Sequence, residues 1–282
     1  MTNLNDLNQN KSILIKGKLI DFNQPKIMGI LNVTPDSFFK ESRIKTIDDL
    51  LFQAKNMIEN GADILDLGAI STRPGASTVE VTEEIKRIQL PLKIVRKEFP
   101  EIILSLDTYN SQTAQFGLEN GIDMINDVSG GQIDDRLLDT VSQFKVPYVL
   151  THGFGMADFK SGNETKENII QELINYFSRK LNVLLNKGIS DIIIDPGFGF
   201  GKTMDENFEI ISNFDALKIL EKPILVGISR KSMIYKKLQT TPDDSLNGTI
   251  ALNSILMLKG SSIFRVHDVL QMKQISILCK SI

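Results

Sequence analysis

Glu59-Asn-Gly-Ala-Asp-Ile-Leu-Asp66 recurs as Glu119-Asn-Gly-Ile-Asp-Met-Ile-Asn126, more loosely as Leu258-Lys-Gly-Ser-Ser-Ile-Phe-Arg265, and with two residues inserted as Lys187-Gly-Ile-Ser-Asp-Ile-Ile-Ile-Asp195. In each copy a glycine suited to the left-handed position past a helix end is followed by a short turn, then by a strand that closes on a polar side chain. A helix-to-strand joint used four times predicts repeated β/α units rather than one two-layer sheet.

Outward from these joints, six short β-branched runs stop on a residue that can bind or donate: Met28 to Asn32, Ile64 to Asp66, Ile102 to Asp107, Met124 to Asn126, Ile192 to Asp195 and Ile263 to Arg265. Tyr148 to His152 and Ile224 to Ser229 bring the number to eight. Apolar runs of this length at helix-length intervals are what strands buried on both faces look like. Eight of them predict an α/β chain folded as a closed (β/α)8 barrel of the TIM type, with the active site at the carboxyl ends of the strands. The terminal polar residues then converge on one pocket.

No Pro- or Ser-rich linker or long charge run divides the 282 residues. Residues 26–282 are therefore expected to be one barrel, with residues 1–25 an N-terminal extension carrying a hairpin around Lys11-Ser-Ile-Leu-Ile-Lys-Gly-Lys-Leu-Ile20. Between strands, Thr46 is expected to cap a helix ending at Gly61, and Ser111 one ending at Gly121. A third, from Thr82 to Phe99, carries Pro91, which should kink or break it.

A net charge of −3 leaves no electrostatic footprint for nucleic acid or an anionic membrane, and 41% apolar with 24% charged residues is ordinary for a globular protein. The polar start Met1-Thr-Asn-Leu-Asn-Asp-Leu-Asn-Gln-Asn10 is not a signal peptide, so a cytoplasmic location is expected. Cys279 is the one cysteine, with His152 and His267 the two histidines, which argues against a disulfide or structural zinc framework.

The segment Asp195-Pro-Gly-Phe-Gly-Phe-Gly-Lys-Thr203 fails both nucleotide-loop patterns: a P-loop needs glycine where Pro196 stands, and a dinucleotide fingerprint needs glycine where Lys202 stands. It remains either a tight strand-to-helix turn or a loop whose backbone passes close to a flat ligand. Asn32 reads as a cap or as an oxygen ligand for Mg²⁺ when a substrate phosphate supplies the others. Gly68-Ala-Ile-Ser-Thr-Arg-Pro-Gly-Ala76 reads as a solvated turn or as a loop carrying a working cation. Ser229-Arg-Lys-Ser232 and Arg265-Val-His-Asp268 follow the seventh and eighth strands, where such barrels frequently bind phosphate, and carry two arginines, a lysine, a histidine and hydroxyls; they read as an anion site more than as a solvated rim with Arg230 paired outward. Carboxylates and amides at Asp66, Asp107, Asn126, Asp127 and Asp195 can read the donor edge of a planar heterocycle. Helix-capping or loop-holding roles are expected of Asp66 and Asp127 more than of Asp107 and Asp195, while His152 stands equally between packing and function.

Taken in order, Met28-Gly-Ile-Leu-Asn-Val-Thr-Pro-Asp-Ser-Phe38, Ser71-Thr-Arg-Pro-Gly75, Asp107-Thr108, Ile125-Asn-Asp-Val-Ser-Gly130, Asp195-Pro-Gly-Phe-Gly-Phe-Gly-Lys202, Ser229-Arg-Lys-Ser232 and Arg265-Val-His267 resemble the dihydropteroate synthase family over about residues 25–270. The resemblance implies a transferase of folate biosynthesis that joins 6-hydroxymethyl-7,8-dihydropterin diphosphate to 4-aminobenzoate. It implies pterin contacts at Asp107, Asn126, Asp195, Lys231 and Arg265. Asn32 is implied for Mg²⁺ and diphosphate, Arg265 and His267 for the anion, and Phe38, Thr72, Arg73, Pro74, Phe200, Lys231 and Ser232 for aminobenzoate. Catalysis is then assigned to Asn32, Asp107, Lys231, Arg265 and His267, and a homodimer is implied.

The chain departs from the family's pattern at Ile70, at Thr151-His-Gly-Phe-Gly155, at Glu206 and at Tyr235. Two other kinds of barrel share part of this pattern. A pterin-binding methyltransferase barrel shares Asp107, Asn126 and Asp195 but has no need of the two basic motifs. A catalytically silent barrel predicts decay at the strand ends, where every proposed group is present.

Overall fold

Strands form where predicted because each run is covered twice, by the barrel interior and by a helix. The computed structural model describes residues 11–33, 47–69, 79–153 and 168–281. It begins with an antiparallel hairpin, β1 (Ser12–Ile15) and β2 (Lys18–Asp21), whose two-residue turn puts Lys16 and Gly17 in the left-handed region at φ 49° and 70°. The barrel strands and their helices then alternate: β3 (Lys26–Asn32), α1 (Ile47–Glu59), β4 (Ile64–Gly68), α2 (Val81–Glu98), β5 (Ile103–Asp107), α3 (Ser111–Glu119), β6 (Met124–Asp127), α4 (Arg136–Phe144), β7 (Tyr148–Thr151), α5 (Ile169–Asn186), β8 (Ile192–Asp195), α6 (Met204–Ser212), β9 (Leu225–Val226), α7 (Ser232–Lys237), α8 (Leu246–Leu258), β10 (Ile263–Val266) and α9 (Val269–Cys279). Eight parallel strands run in the order β8-β7-β6-β5-β4-β3-β10-β9, and a parallel bridge from Ile194 to Ile224 brings the two ends together.

All four joints end as the repeated phrase requires. Gly61, Gly121, Gly188 and Gly260 have φ between 80° and 100°. In each, the glycine N–H returns three residues and the next N–H five, as Gly61 to Ile58 and Ala62 to Met57 do. The aspartate two residues after the glycine, present in the first two joints, holds the neighbouring strand in register. Asp63 accepts from the Ile27 N–H at 2.8 Å and Asp123 from the Leu104 N–H at 2.8 Å.

Alternation along the strands sorts the core. Met28, Ile64, Met124, Val149, Ile193, Leu225 and Ile263 point inward and pack with Ile13, Ile15 and Phe22 of the hairpin segment, which closes the amino-terminal end of the barrel. Their neighbours Leu65, Leu104, Ile125, Leu150, Ile194 and Phe264 face the helices. A cavity of about 100 Å³ remains under the hairpin; it is mostly apolar and smaller than the several hundred Å³ a small-molecule site needs. Two residues further along each strand, the same inward parity brings Asp66, Asn126, Thr151, Asp195 and Arg265 to the opposite end.

Two helix expectations need correction. α2 runs unbroken through Pro91, which is buried on its core face beside Ile88, Leu92 and Val95; that packing offsets the lost backbone hydrogen bond. Ser111 is the first residue of α3 rather than its cap. Asn110 takes the N-cap, and its amide is drawn away to Glu84, while the Ser111 N–H is satisfied by Asp134 at 2.9 Å. Thr46, the expected cap of α1, lies outside the described residues. No described helix is long and apolar enough to cross a membrane.

Candidate active site

Arg265 leaves β10 into the carboxyl end of the barrel and is held between two acids. Its Nε donates to Asp66 Oδ2 at 2.7 Å and its Nη2 to Asp107 Oδ2 at 2.8 Å. Asn126, on the next strand after that of Asp107, donates its amide to the same Asp66 oxygen at 3.0 Å. Burial pulls the guanidinium down, yet Asp66 and Asp107 together carry it above its ordinary value, so it stays charged. Asp107 has the reverse problem. Burial pushes its carboxyl up to about 7 against the attraction of Arg265, with Asp66, Glu84 and Asp127 adding to the rise.

Asp195 and Lys231 form the other wall. Burial raises Asp195, opposed first by Lys231; its Oδ1 accepts from the Gly197 N–H at 2.8 Å. Burial lowers Lys231 to about 8, opposed by Asp195 and Asp107 and helped by Arg265. Its ammonium donates to the Phe198 carbonyl at 2.5 Å and lies 4.5 Å from the centroid of the Phe200 ring. The loop between them needs its glycine: at Gly197, φ 68°, a Cβ would stand 2.0 Å from the His152 carbonyl oxygen. Lys202 is a clamp within this loop, donating to the carbonyls of His152, Gly197 and Phe200.

At the rim, Asn32 is exposed at the end of β3. Its register partner Gly68 pairs in turn with Asp107, and a Cβ placed on Gly68 would lie 3.4 Å from Asn32 Oδ1 and 3.7 Å from Asp107 Oδ2. Asn32 and Asp107 thus overlook the same gap. Ser229 Oγ meets His267 Nδ1 at 3.0 Å and accepts from the His267 N–H at 3.3 Å, which fixes the imidazole at the end of β10. Ser232 opens α7 directly after Lys231.

One expectation changes, that for Asp66, and the open alternatives for Arg230 and His152 are decided. Arg230 is turned away: it pairs with Asp268 through Nε at 3.0 Å and Nη2 at 2.8 Å, and also with Asp243, so Arg265 is the arginine that these two motifs bring to the rim. Asp66 does not cap or hold a loop; it is fully buried between Arg265 and Asn126. The signal is its parity, since Asp66 follows inward-facing Ile64 by two residues. Asp127, one residue past Asn126, faces outward as expected of a loop holder, accepting from the N–H groups of Ser129 and Gly131 and from the Tyr148 hydroxyl. His152 packs edge-on against Tyr176 with its Nε2 3.3 Å from Glu172, behind the barrel wall. Glu206 completes a capping box with Thr203 at the start of α6. Phe38, Thr72, Arg73, Pro74 and the departures at Ile70 and Phe154-Gly155 lie outside the described residues.

Glu84 carries no mark in the sequence that sets it apart from the other acids of its helix. It is fully buried and takes hydrogen bonds from Thr108 Oγ1 at 2.7 Å, Asn110 Nδ2 at 2.5 Å and Thr113 Oγ1 at 2.8 Å, tying α2 to the loop that follows Asp107. Glu84→Ala leaves three buried donors without an acceptor and is expected to cost about 3–5 kcal/mol of stability, read as a lower urea midpoint at unchanged slope. An unchanged midpoint would show that water replaces the carboxylate at no cost.

The chain matches the pterin binding enzyme family over residues 28–267. It is 39% identical to a dihydropteroate synthase of Clostridium beijerinckii over 248 residues, 87% of this chain and 89% of that one. It is 38% identical to a dihydropteroate synthase of Synechocystis over 88% of this chain and 87% of that one. Among solved structures, the Xanthomonas albilineans dihydropteroate synthase with 4-aminobenzoic acid superposes with a TM-score of 0.86 at 30% identity, covering 96% of this chain and 97% of that one. The Thermus thermophilus enzyme in complex with 6HMPPP gives 0.83 at 28% identity, covering 96% and 100%. Matched by the family over residues 28–267 and by relatives at 38–39% identity over most of both chains, the chain belongs to the pterin-binding enzymes, among the dihydropteroate synthases.

Proposed function

We propose that the chain condenses 6-hydroxymethyl-7,8-dihydropterin diphosphate with 4-aminobenzoate to give 7,8-dihydropteroate and diphosphate. The observation that carries this reading is the convergence of Asp107, Asn126, Asp195, Lys231 and Arg265, from five places in the chain, on one end of the barrel. Asp107, Asn126 and Asp195 read the donor edge of the pterin. Lys231 and Arg265 flank the ring, and Arg265 with His267 faces the diphosphate. Phe200 and Ser232, with Phe38, Thr72, Arg73 and Pro74, are assigned to aminobenzoate.

The reaction breaks the bond from the exocyclic carbon to the diphosphate oxygen and forms a carbon–nitrogen bond, the amine losing one proton. Departure of diphosphate leaves positive charge on that carbon, and offsetting it is the role this reading gives to the carboxylates of Asp107 and Asp195. Arg265 and His267 hold the departing anion. An aromatic amine attacks without prior deprotonation, so no nucleophilic side chain is needed, and Ser229 serves to orient His267.

Asn32 offers one neutral oxygen, and among the described residues no group of three or more His, Cys, Asp or Glu stands as a metal site. That donor set fits Mg²⁺ carried in on a diphosphate, which supplies the remaining ligands, rather than a resident ion. When bound, Mg²⁺ would neutralise charge on the leaving group. Chelating it is expected to weaken binding of the pterin diphosphate while leaving the unphosphorylated hydroxymethylpterin unaffected. Equal affinity of the diphosphate with and without metal, by calorimetry, would remove Asn32 from this role.

A homodimer fits the apolar surface of α8 and α9, where Ile255, Leu258, Leu270, Ile277 and Leu278 are exposed, and the cytoplasm is the location proposed for it. The experiment that tests the activity is direct: purified protein, Mg²⁺, the pterin diphosphate and 4-aminobenzoate should yield dihydropteroate and diphosphate in equal amounts. No product would sink the assignment.

A further inference from the structure

Asp66 uses one oxygen for two neighbours. Its Oδ2 accepts from Arg265 Nε at 2.7 Å and from Asn126 Nδ2 at 3.0 Å, while its Oδ1 is buried without a hydrogen bond. No part of Asp66 reaches solvent. Asp107 meets Arg265 differently. It touches only the terminal Nη2, at 2.8 Å, its second oxygen is likewise without a hydrogen bond, and the residue is 6% exposed where Asp66 is fully covered.

The geometry fixes what each acid can release. An Nε–carboxylate contact lies close to the guanidinium's pivot and persists when the tip swings; an Nη2 contact does not. Asn126 can present its nitrogen to a carboxylate but not its oxygen, so Asp66 also selects the orientation of that amide. With the nitrogen turned to Asp66, the amide oxygen is the one acceptor Asn126 can offer the donor edge of a heterocycle.

We propose that Asp66 is a positioning residue: it anchors Arg265 and orients Asn126 throughout the cycle, while Asp107 gives up its Arg265 contact to take the pterin. Arg265 therefore shields Asp107 until the pterin arrives, and substrate replaces one of two carboxylate contacts instead of creating a site from a bare buried charge. The arrangement limits the cost of holding an acid in the barrel mouth, since Asp107 is never left without a donor.

This rests on the reading of the site as a pterin diphosphate pocket, which product formation by the unaltered protein tests separately. In the full chain, Asp66→Asn is expected to raise KM for the pterin diphosphate at least ~10-fold and to leave KM for 4-aminobenzoate, at saturating pterin, within about twofold. With Arg265→Met added, the combined loss should be smaller than the product of the two separate losses, because one residue acts through the other. Equal losses for both substrates, or losses that multiply, would show a merely structural acid. Should Asp66→Asn fail to fold, a crystal structure of the unaltered protein with the pterin diphosphate decides. Arg265 still on Asp66 and parted from Asp107 supports the proposal; Arg265 parted from Asp66 overturns it.

Discussion

Lys231→Ala lowers kcat/KM for the pterin diphosphate by about 10- to 150-fold, the equivalent of one buried charge-assisted hydrogen bond at 1.5–3 kcal/mol. The ammonium is the cation that most opposes the rise of Asp195, and it also bears on Asp107, so its loss weakens both acids as acceptors as well as removing a donor. Its position over Phe200 ties the same substitution to the assigned aminobenzoate side. Asp195→Ala should cost at least ~10-fold by the same reasoning. Neither side chain belongs to the apolar core, so circular dichroism and the melting curve should be retained. Product formation at the unaltered rate by either variant would remove that residue from the site.

Asp107→Asn should separate activity from stability. The folded-state carboxyl is pushed up to about 7, chiefly by burial, so the native state holds a proton that the unfolded chain has already released. Stability on this account is full below the unfolded carboxylate value of about 4 and falls as pH rises toward 7, the opposite of an ordinary salt-bridged aspartate. The amide keeps an oxygen for Arg265 and removes the charge. Melting at pH 8 is therefore expected to rise by about 2–6 °C, and melting near pH 4 to be unchanged. Turnover with the pterin diphosphate should fall at least ~100-fold, because an amide presents a donor to the ligand's donor edge. A variant less stable at pH 8 than at pH 4, relative to the unaltered chain, would show that the Arg265 contact outweighs burial. The gain in stability with loss of function is the trade expected where an acid is kept charged in a buried site.

The barrel is legible because its signals are local. The strands, the four glycine joints and the inward residues follow from runs and two-residue spacing that need no knowledge of partners, and the hairpin follows in the same way from Lys16-Gly17. The same parity separates Asp66 from Asp127. Both lie in the carboxyl half of an apolar run, but Asp66 shares the face of Ile64, and Asp127 is one residue past inward-facing Asn126. Residue type alone, without parity, puts the two acids together. Pro91 escapes the expected kink because propensity weighs the lost hydrogen bond and not the core into which α2 presses that face.

Arg230 and Arg265 mark where local signals stop. Both sit in basic motifs at the ends of neighbouring strands, and nothing near either says which will turn into the mouth of the barrel. The structure gives Arg230 a left-handed backbone at φ 56° and a bidentate partner in Asp268, while Arg265 reaches across the barrel to acids 199 and 158 residues away. Glu84 is similar, since its three donors come from the loop and helix that follow the next strand. By itself, then, the order of residues determined the strands, the polar groups that end them and the joints that repeat them, because alternation and helix termination act over a few residues. Closure of the sheet alone decided which of those groups pair, since contacts across a barrel join residues that only the completed ring brings within hydrogen-bonding distance.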